Sequence, residues 1–320
     1  MPKPPTSGKA PLFWMLGTVA AIFTGISPAV LADDTPATLP TTTVAATAPA
    51  NKWQFTLLNP VPADQLRGMD TDRPNVTNTP HTIDAGHLQI ETGLIDYSYD
   101  RSRSSGIAIR LDDFDFAASN FRLGLLDNLE VNAVVDPYQM DRTHESSEGR
   151  DTGSTVYSRG FGDTIIGAKL NLWGNEGGDA TGVSGLAIQP QLKFPTANDG
   201  LGNGHFEFSV AFPFLVNLPA AFHLGLQSGV SLERDIANDG DVAGMQNSIS
   251  VDRVVWKQLD VYVEYASDVT TEKHVEAVQT IDVGGTYPLN DNVVLDTGFA
   301  FGLNRATNDL EVLAGISVRF

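Results

Sequence analysis

Apolar and polar residues alternate one for one over much of the chain after residue 86. The final stretch is the plainest: Leu310, Val312, Ala314, Ile316, Val318 and Phe320 share one parity, and Glu311, Leu313, Gly315, Ser317 and Arg319 share the other. Over 293–304, Val293, Leu295, Phe299, Phe301 and Leu303 oppose Asp296, Gly298, Ala300, Gly302 and Asn304. Over 206–218, Phe206, Phe208, Val210, Phe212, Phe214, Val216 and Leu218 oppose Glu207, Ser209 and Ala211. Over 275–289, Val275, Ala277, Ile281, Val283, Tyr287 and Leu289 oppose Glu276, Thr280, Asp282 and Thr286. A period of two is that of a strand, whose successive side chains point to opposite faces. These runs are about twice the ~5–6 residues usual in soluble strands and match the ~9–11 of a tilted strand crossing a bilayer.

About twelve such segments are readable, at 87–99, 107–125, 129–138, 160–173, 185–196, 205–218, 222–234, 246–256, 260–269, 275–289, 293–304 and 309–320. Tight connections at 126–128, 219–221, 257–259 and 290–292 alternate with longer ones, notably 139–159, rich in Asp, Glu, Ser and Arg. That alternation is the rule of a transmembrane antiparallel β-barrel, with short periplasmic turns and longer outer loops. An even strand count returns both termini to the periplasm. Two segments break parity: 107–125 twice, and 246–256 between Val251 and Val254. A β-bulge or a different count accounts for either. A soluble β-sandwich is the competing architecture, but it does not ask for an unbroken apolar face on strands this long.

Charge and composition narrow the class. The chain of 320 residues has 39 acidic and 20 basic side chains, a net charge of −19, and no cysteine. This balance excludes a phosphate-neutralising nucleic-acid binder. Without cysteine there are no disulfides, thiolate metal sites or cysteine nucleophiles. At 42% apolar residues, the chain is too hydrophobic for an acidic disordered protein.

The first 32 residues read as a signal peptide: Lys3 and Lys9, an apolar run from Leu12 to Ile26, Pro28, then Val30-Leu31-Ala32 at the cut. The run is short of the ~20 residues of a spanning helix, the competing reading. Residues 33–51, rich in Thr, Ala and Pro, read as a flexible linker. Residues 52–85, with Pro60, Pro62, Pro74 and Pro80, are expected to be an extended periplasmic segment, either a plug or a plain tether. Residues 86–320 are the expected barrel.

Thr71-Asp72-Arg73-Pro74-Asn75-Val76-Thr77, then Pro80 and Gly86-His87-Leu88-Gln89-Ile90-Glu91, resembles the opening motif of the MetA-pathway of phenol degradation family. Asn75 stands where that motif commonly has Asp, and Thr79 where it has Ser. Arg122-Leu123-Gly124-Leu125, Gly160-Phe161-Gly162-Asp163, Lys193-Phe194-Pro195-Thr196 and Gly302-Leu303-Asn304 resemble later blocks. The likeness covers about 70–320. It implies an outer-membrane barrel with a transport role and leaves the substrate open. The end at Phe320 resembles the closing strand that barrel-assembly machinery reads.

With Phe320 facing lipid, parity assigns to the lumen Glu91, Arg122, Glu130, Asn132, Lys169, Asn171, Gln189, Gln191, Lys193, Glu207, Glu233, Glu264, Asp282, Asp296, Glu311 and Arg319. Acids outnumber bases here, which suits cations or polar solutes; equally, the charges can pair and brace the wall. His81, His87, His144, His205, His223 and His274 show no metal spacing, no G-x-S-x-G elbow occurs, and no cofactor motif is present. Asp239-Gly240-Asp241 reads as a solvated turn rather than a calcium loop. The sequence therefore points to an outer-membrane channel in contact with lipid that passes small solutes, hydrophobic or aromatic ones among the candidates, and not to an enzyme. A closed structural or adhesive barrel is the alternative.

Overall fold

A strand that is apolar on one side and polar on the other has to hide the apolar side from water and pair both of its edges. In a bilayer, a closed barrel with its polar side inward does both. The computed structural model describes residues 52–104, 107–147, 153–178, 180–198, 200–235 and 240–320. The expected signal peptide and linker, and Asp239 of the Asp-Gly-Asp turn, lie outside these.

The strands run in chain order as β1 (Leu88–Ser104), β2 (Ile107–Phe116), β3 (Ala118–Leu126), β4 (Leu129–Val135), β5 (Tyr138–Ser147), β6 (Ser154–Gly160), β7 (Thr164–Trp173) and β8 (Ser184–Phe194). They continue as β9 (Glu207–Leu218), β10 (Phe222–Arg234), β11 (Asp241–Trp256), β12 (Leu259–Thr270), β13 (Val278–Asn290), β14 (Val293–Gly302) and β15 (Leu310–Arg319). Three staves of the barrel are interrupted, so β2 with β3, β4 with β5, and β6 with β7 each count as one. The result is a closed antiparallel barrel of 12 strands. β1 pairs with β3 through Leu88–Gly93 and with β2 through Asp96–Ser104, and β15 closes the ring from Gln89↔Arg319 to Tyr99↔Leu310.

Of the two parity breaks in 107–125, the first is no irregularity, since β2 pairs in unbroken register and Ile107, Ile109 and Leu111 share the inward face with Asp113 and Asp115; the second has a local cause. Ala117, between β2 and β3, has φ 60° and takes up one residue, so Phe114 and Phe116 face outward on one side of it and Phe121 and Leu123 on the other. β11 keeps its register with β12 through Val251–Val254 and shifts only beyond Val254, so Val254 shares the inward parity of Ser250 and Asp252, near the turn end. The expected loop at 139–159 is corrected: β5 and β6 pair from Gln139↔Gly160 to Glu145↔Ser154, and β5 pairs with β2 along its whole length. This hairpin rises beyond the apolar band. Above the acyl chains neither of its faces needs to be apolar, and hydrophobic alternation, the signal of the other strands, is missing.

Connections at the end holding Leu88 and Phe320, here the turn end, are tight at 127–128, 219–221, 257–258 and 291–292. The fifth, 174–183, is longer than the turn rule predicts. Trp173, Phe222, Trp256 and Phe320 stand exposed around this end, and Tyr97, Phe114, Phe116 and Tyr138 form a row toward the other, the loop end. Aliphatic residues such as Ile249 and Val263 fill the outward face between them. Two aromatic girdles flanking an apolar band are the mark of a bilayer-spanning barrel. The interior is the reverse of a soluble core: Gln89, Arg122, Lys169 and Gln246 are fully buried. Phe55, Val61 and Ala85 form a small apolar cluster beside the first strand, with Leu66 packed on it.

Candidate functional site: a polar lumen crossed by the amino-terminal segment

Alternation sends every second side chain of each strand into the lumen, and register decides which of these meet. Glu91 on β1, Arg122 on β3, Glu130 on β4 and Lys169 on β7 converge. The Arg122 guanidinium donates to Glu91 and Glu130, both at 2.8 Å, and to the carbonyl of His81 at 3.0 Å. Lys169 donates to Asp72 at 2.7 Å. Two bases and three acids thus interlock with almost no exposure, and two of the partners, Asp72 and His81, come from the segment before the barrel.

That segment is tied to strands around much of the ring. Arg73 donates to Asp96 at 3.0 and 3.1 Å and to Asp296 at 3.3 Å. The backbone N–H groups of Val76 and Thr77 donate to Glu264 at 2.7 and 2.8 Å. The Asn78 N–H donates to Gln227 at 3.0 Å, and its side-chain amide to Gln189 at 3.1 Å. Asn171 donates to the Pro80 carbonyl at 2.9 Å, and the Ile83 N–H to Glu130 at 2.7 Å. Pro74 and Pro80 remove donors, and the remaining extended backbone has no strand partner, so its polar groups turn to lumen side chains. The long turn 174–183 holds the same segment from below: Asn175 accepts from the Thr82 N–H at 2.8 Å, and Glu176 accepts from Arg67 at 3.0 Å.

Electrostatics reinforce the docking. Desolvation works against the charge on Arg73, but Asp96 and Asp296 more than offset it and hold its pKa above the ordinary value. Desolvation also pushes the Asp70 carboxyl up, yet hydrogen bonds from His81 and Thr79 outweigh it and hold its pKa at about 2.

The other residues that parity assigns to the lumen are more dispersed. Asn132 donates to Asn120 at 3.2 Å, and Gln191 is buried nearby on β8. Lys193 forms a separate cluster toward the loop end with Glu207 at 2.7 Å and Asp163 at 3.2 Å, and Glu233 lies close to it. Asp282 sits across from Glu264 on β13, and Glu311 accepts from Asn308 at 3.0 Å. Arg319 lies at the turn end, donating to Asn292 at 3.0 Å and to the Arg67 carbonyl at 2.8 Å. Parity reasoning omitted Gln89, Gln227, Gln246 and Ser248, which the same rule assigns inward. The side chains of residues 70–82 carry no periodic signal at all.

Between the segment and the wall at the turn end lies a cavity of about 520 Å³, lined among others by Met69, Asn75, His223, Asp252, Asp260 and Tyr262. Strand pairing gathers His223, Asp252 and Asp260 so that one ligand atom from each lies within 4.8 Å of the others, a set able to hold a divalent cation. Their separation along the chain conceals this. His87 sits at the rim, between the carbonyls of Phe320 at 2.9 Å and Val61 at 2.8 Å.

The family model described as "Putative MetA-pathway of phenol degradation" matches residues 71–320. The chain belongs to this family. The match begins at Thr71, within the segment that crosses the lumen, and runs to the last strand. Among solved structures, the chain resembles the COG4313 outer membrane channel from Pseudomonas putida F1, with TM-score 0.54 and 13% identity over 73% of this chain and 95% of that one. This likeness shows the fold. The NanC porin gives TM-score 0.44 at 9% identity over 72% of this chain and 98% of that one. No curated protein sequence matches the chain.

Proposed function

We propose that this family member is an outer-membrane channel for small polar solutes, held shut in the described state by residues 70–83. The turn end faces the periplasm, and the loop end faces outward. The observation that carries this reading is the segment's attachment by hydrogen bonds to β1, β4, β7, β8, β10, β12 and β14. A chain bound at so many points across a lumen blocks it, and polar bonds of this kind can be exchanged for water. The buried glutamine, serine and charged side chains suit solutes that form hydrogen bonds better than the hydrophobic solutes considered from the sequence. Family membership and the likeness to the P. putida outer membrane channel agree with passage of solutes.

The test is solute flux into proteoliposomes holding the refolded chain. Arg73→Ala with Glu264→Ala removes two attachments and leaves the strands intact, so flux should rise several-fold while heat-modifiable mobility on a gel is retained. Flux unchanged and near zero in both proteins, with both folded, would favour the closed structural barrel, a reading to which the density of these bonds also lends weight.

A further inference from the structure

The part of β1, β2, β5 and β6 that rises toward the loop end sorts its charges by face. Inward positions carry Asp96, Asp100, Asp113, Asp115, Asp141 and Glu145. Outward positions carry Arg101, Arg103, Arg110, Arg142 and Arg159, and among the described residues of these strands the one outward carboxylate is Asp112. In a chain of net charge −19 with 20 basic residues in all, this is a marked concentration of arginine on one outer surface.

The arginines are placed in order above a membrane face. Along β1 the outward residues pass from Ile90 and Thr92 through Tyr97 and Tyr99 to Arg101. Along β3 and β2 they pass from Leu123 and Phe121 through Phe116 and Phe114 to Arg110. Apolar, aromatic and basic rows follow one another, as acyl chains, glycerol or sugar, and phosphate do in a lipid.

Two features distinguish this surface from a set of ordinary salt bridges. Arg101 lies directly across from Arg110, and like charges in directly opposed positions destabilise a strand pair. Among the described residues of these strands, arginines outnumber carboxylates on this face five to one. Asp112 takes Arg110 at 2.7 Å and Arg142 at 3.8 Å, and it also accepts from the Tyr97 hydroxyl at 2.8 Å. The carboxylate of Asp309, just before the neighbouring strand, accepts from the Arg101 backbone N–H at 3.1 Å. Arg110 stacks over the Tyr99 ring at 5.2 Å. Arg101, Arg110 and Arg159 are exposed. Among the described residues, the surface is thus richer in arginine than in carboxylate, with an apolar face continuing beneath it.

We infer that the outward face of β1, β2, β5 and β6 binds the phosphorylated disaccharide headgroup of a lipid A-type glycolipid in the outer leaflet, with arginines on the phosphates and the acyl chains against the apolar band below. Guanidinium matches phosphate with paired, charge-assisted bonds. The placement rests on the proposed orientation, loop end outward, but not on transport.

The test uses the full refolded chain in detergent, titrated with bisphosphorylated lipid A and with the same lipid after phosphatase treatment, bound lipid being read by native mass spectrometry. The bisphosphorylated form should be retained and the dephosphorylated form lost. Arg101→Gln, Arg110→Gln, Arg142→Gln and Arg159→Gln together should weaken retention about tenfold or more. Should that variant not fold, Arg101→Gln with Arg159→Gln leaves the Asp112 network in place and should still weaken it several-fold. Equal retention of both lipids, or unchanged retention in the folded variant, overturns the inference. These side chains face away from the lumen, so flux through the variant should match the parent; a parent that binds lipid A but passes no solute sinks the channel reading alone.

Discussion

Arg122 shows how a buried charge holds this protein together. It is fully buried and meets two carboxylates of the wall and a carbonyl of the crossing segment, so its removal leaves Glu91, Glu130 and Asp72 facing one another with Lys169 as their remaining cation. Breaking a buried ion network by deleting one partner costs roughly 3–5 kcal/mol. Arg122→Ala should therefore lower the urea midpoint of the barrel in micelles by that scale of stability. Arg122→Lys should recover part of the loss, since it restores charge without the paired geometry. The sixteen lumen candidates followed from parity alone. What parity could not reveal is which of them touch, because strand register, not position along one strand, brings Glu91 to Arg122 across 31 residues and Lys169 to Asp72 across 97.

At the scale of elements, the strands were readable wherever lipid lies on one side and water on the other. That contrast writes a period of two into the sequence. Where it ends, so does the signal: β5 and β6 rise above the apolar band and carry polar residues on both faces, β5 setting Asp141 and Glu145 inward against Arg142 outward. The interruption between β2 and β3 shifted the parity of 107–125 because Ala117 adopts φ 60°, a left-handed conformation that costs an L residue about 1–2 kcal/mol. Ala117→Gly relieves that strain, and although glycine costs entropy, the net gain should be about 0.5–1 kcal/mol. Equilibrium unfolding in micelles checks this, with Ala117→Val expected to shift the midpoint the other way.

The whole molecule is built around a polar interior and an apolar exterior, so rules for soluble proteins invert on its surface. Val263, on the outward face of β12, is 57% exposed and stabilises by meeting lipid rather than by being buried in protein. Val263→Arg should destabilise the barrel by roughly 2–4 kcal/mol, the cost of an arginine near the bilayer midplane. Measured by unfolding in lipid vesicles, that loss should fall toward zero for the same change at a position close to either aromatic girdle.

Residue order alone determined the fold class, the approximate strand boundaries, the face each strand turns to lipid and the family resemblance. Each of these is local: alternation, strand length and motif spacing are properties of short stretches of chain. Only the tertiary structure decided that residues 70–83 cross the lumen, that β5 and β6 continue the wall, and that arginines from β1, β2, β5 and β6 share one outer surface. The crossing segment has no periodicity, since its extended backbone is satisfied by side chains from strands distant in sequence. The arginine surface likewise exists only once four strands lie side by side, because pairing, not sequence neighbourhood, sets which charges adjoin.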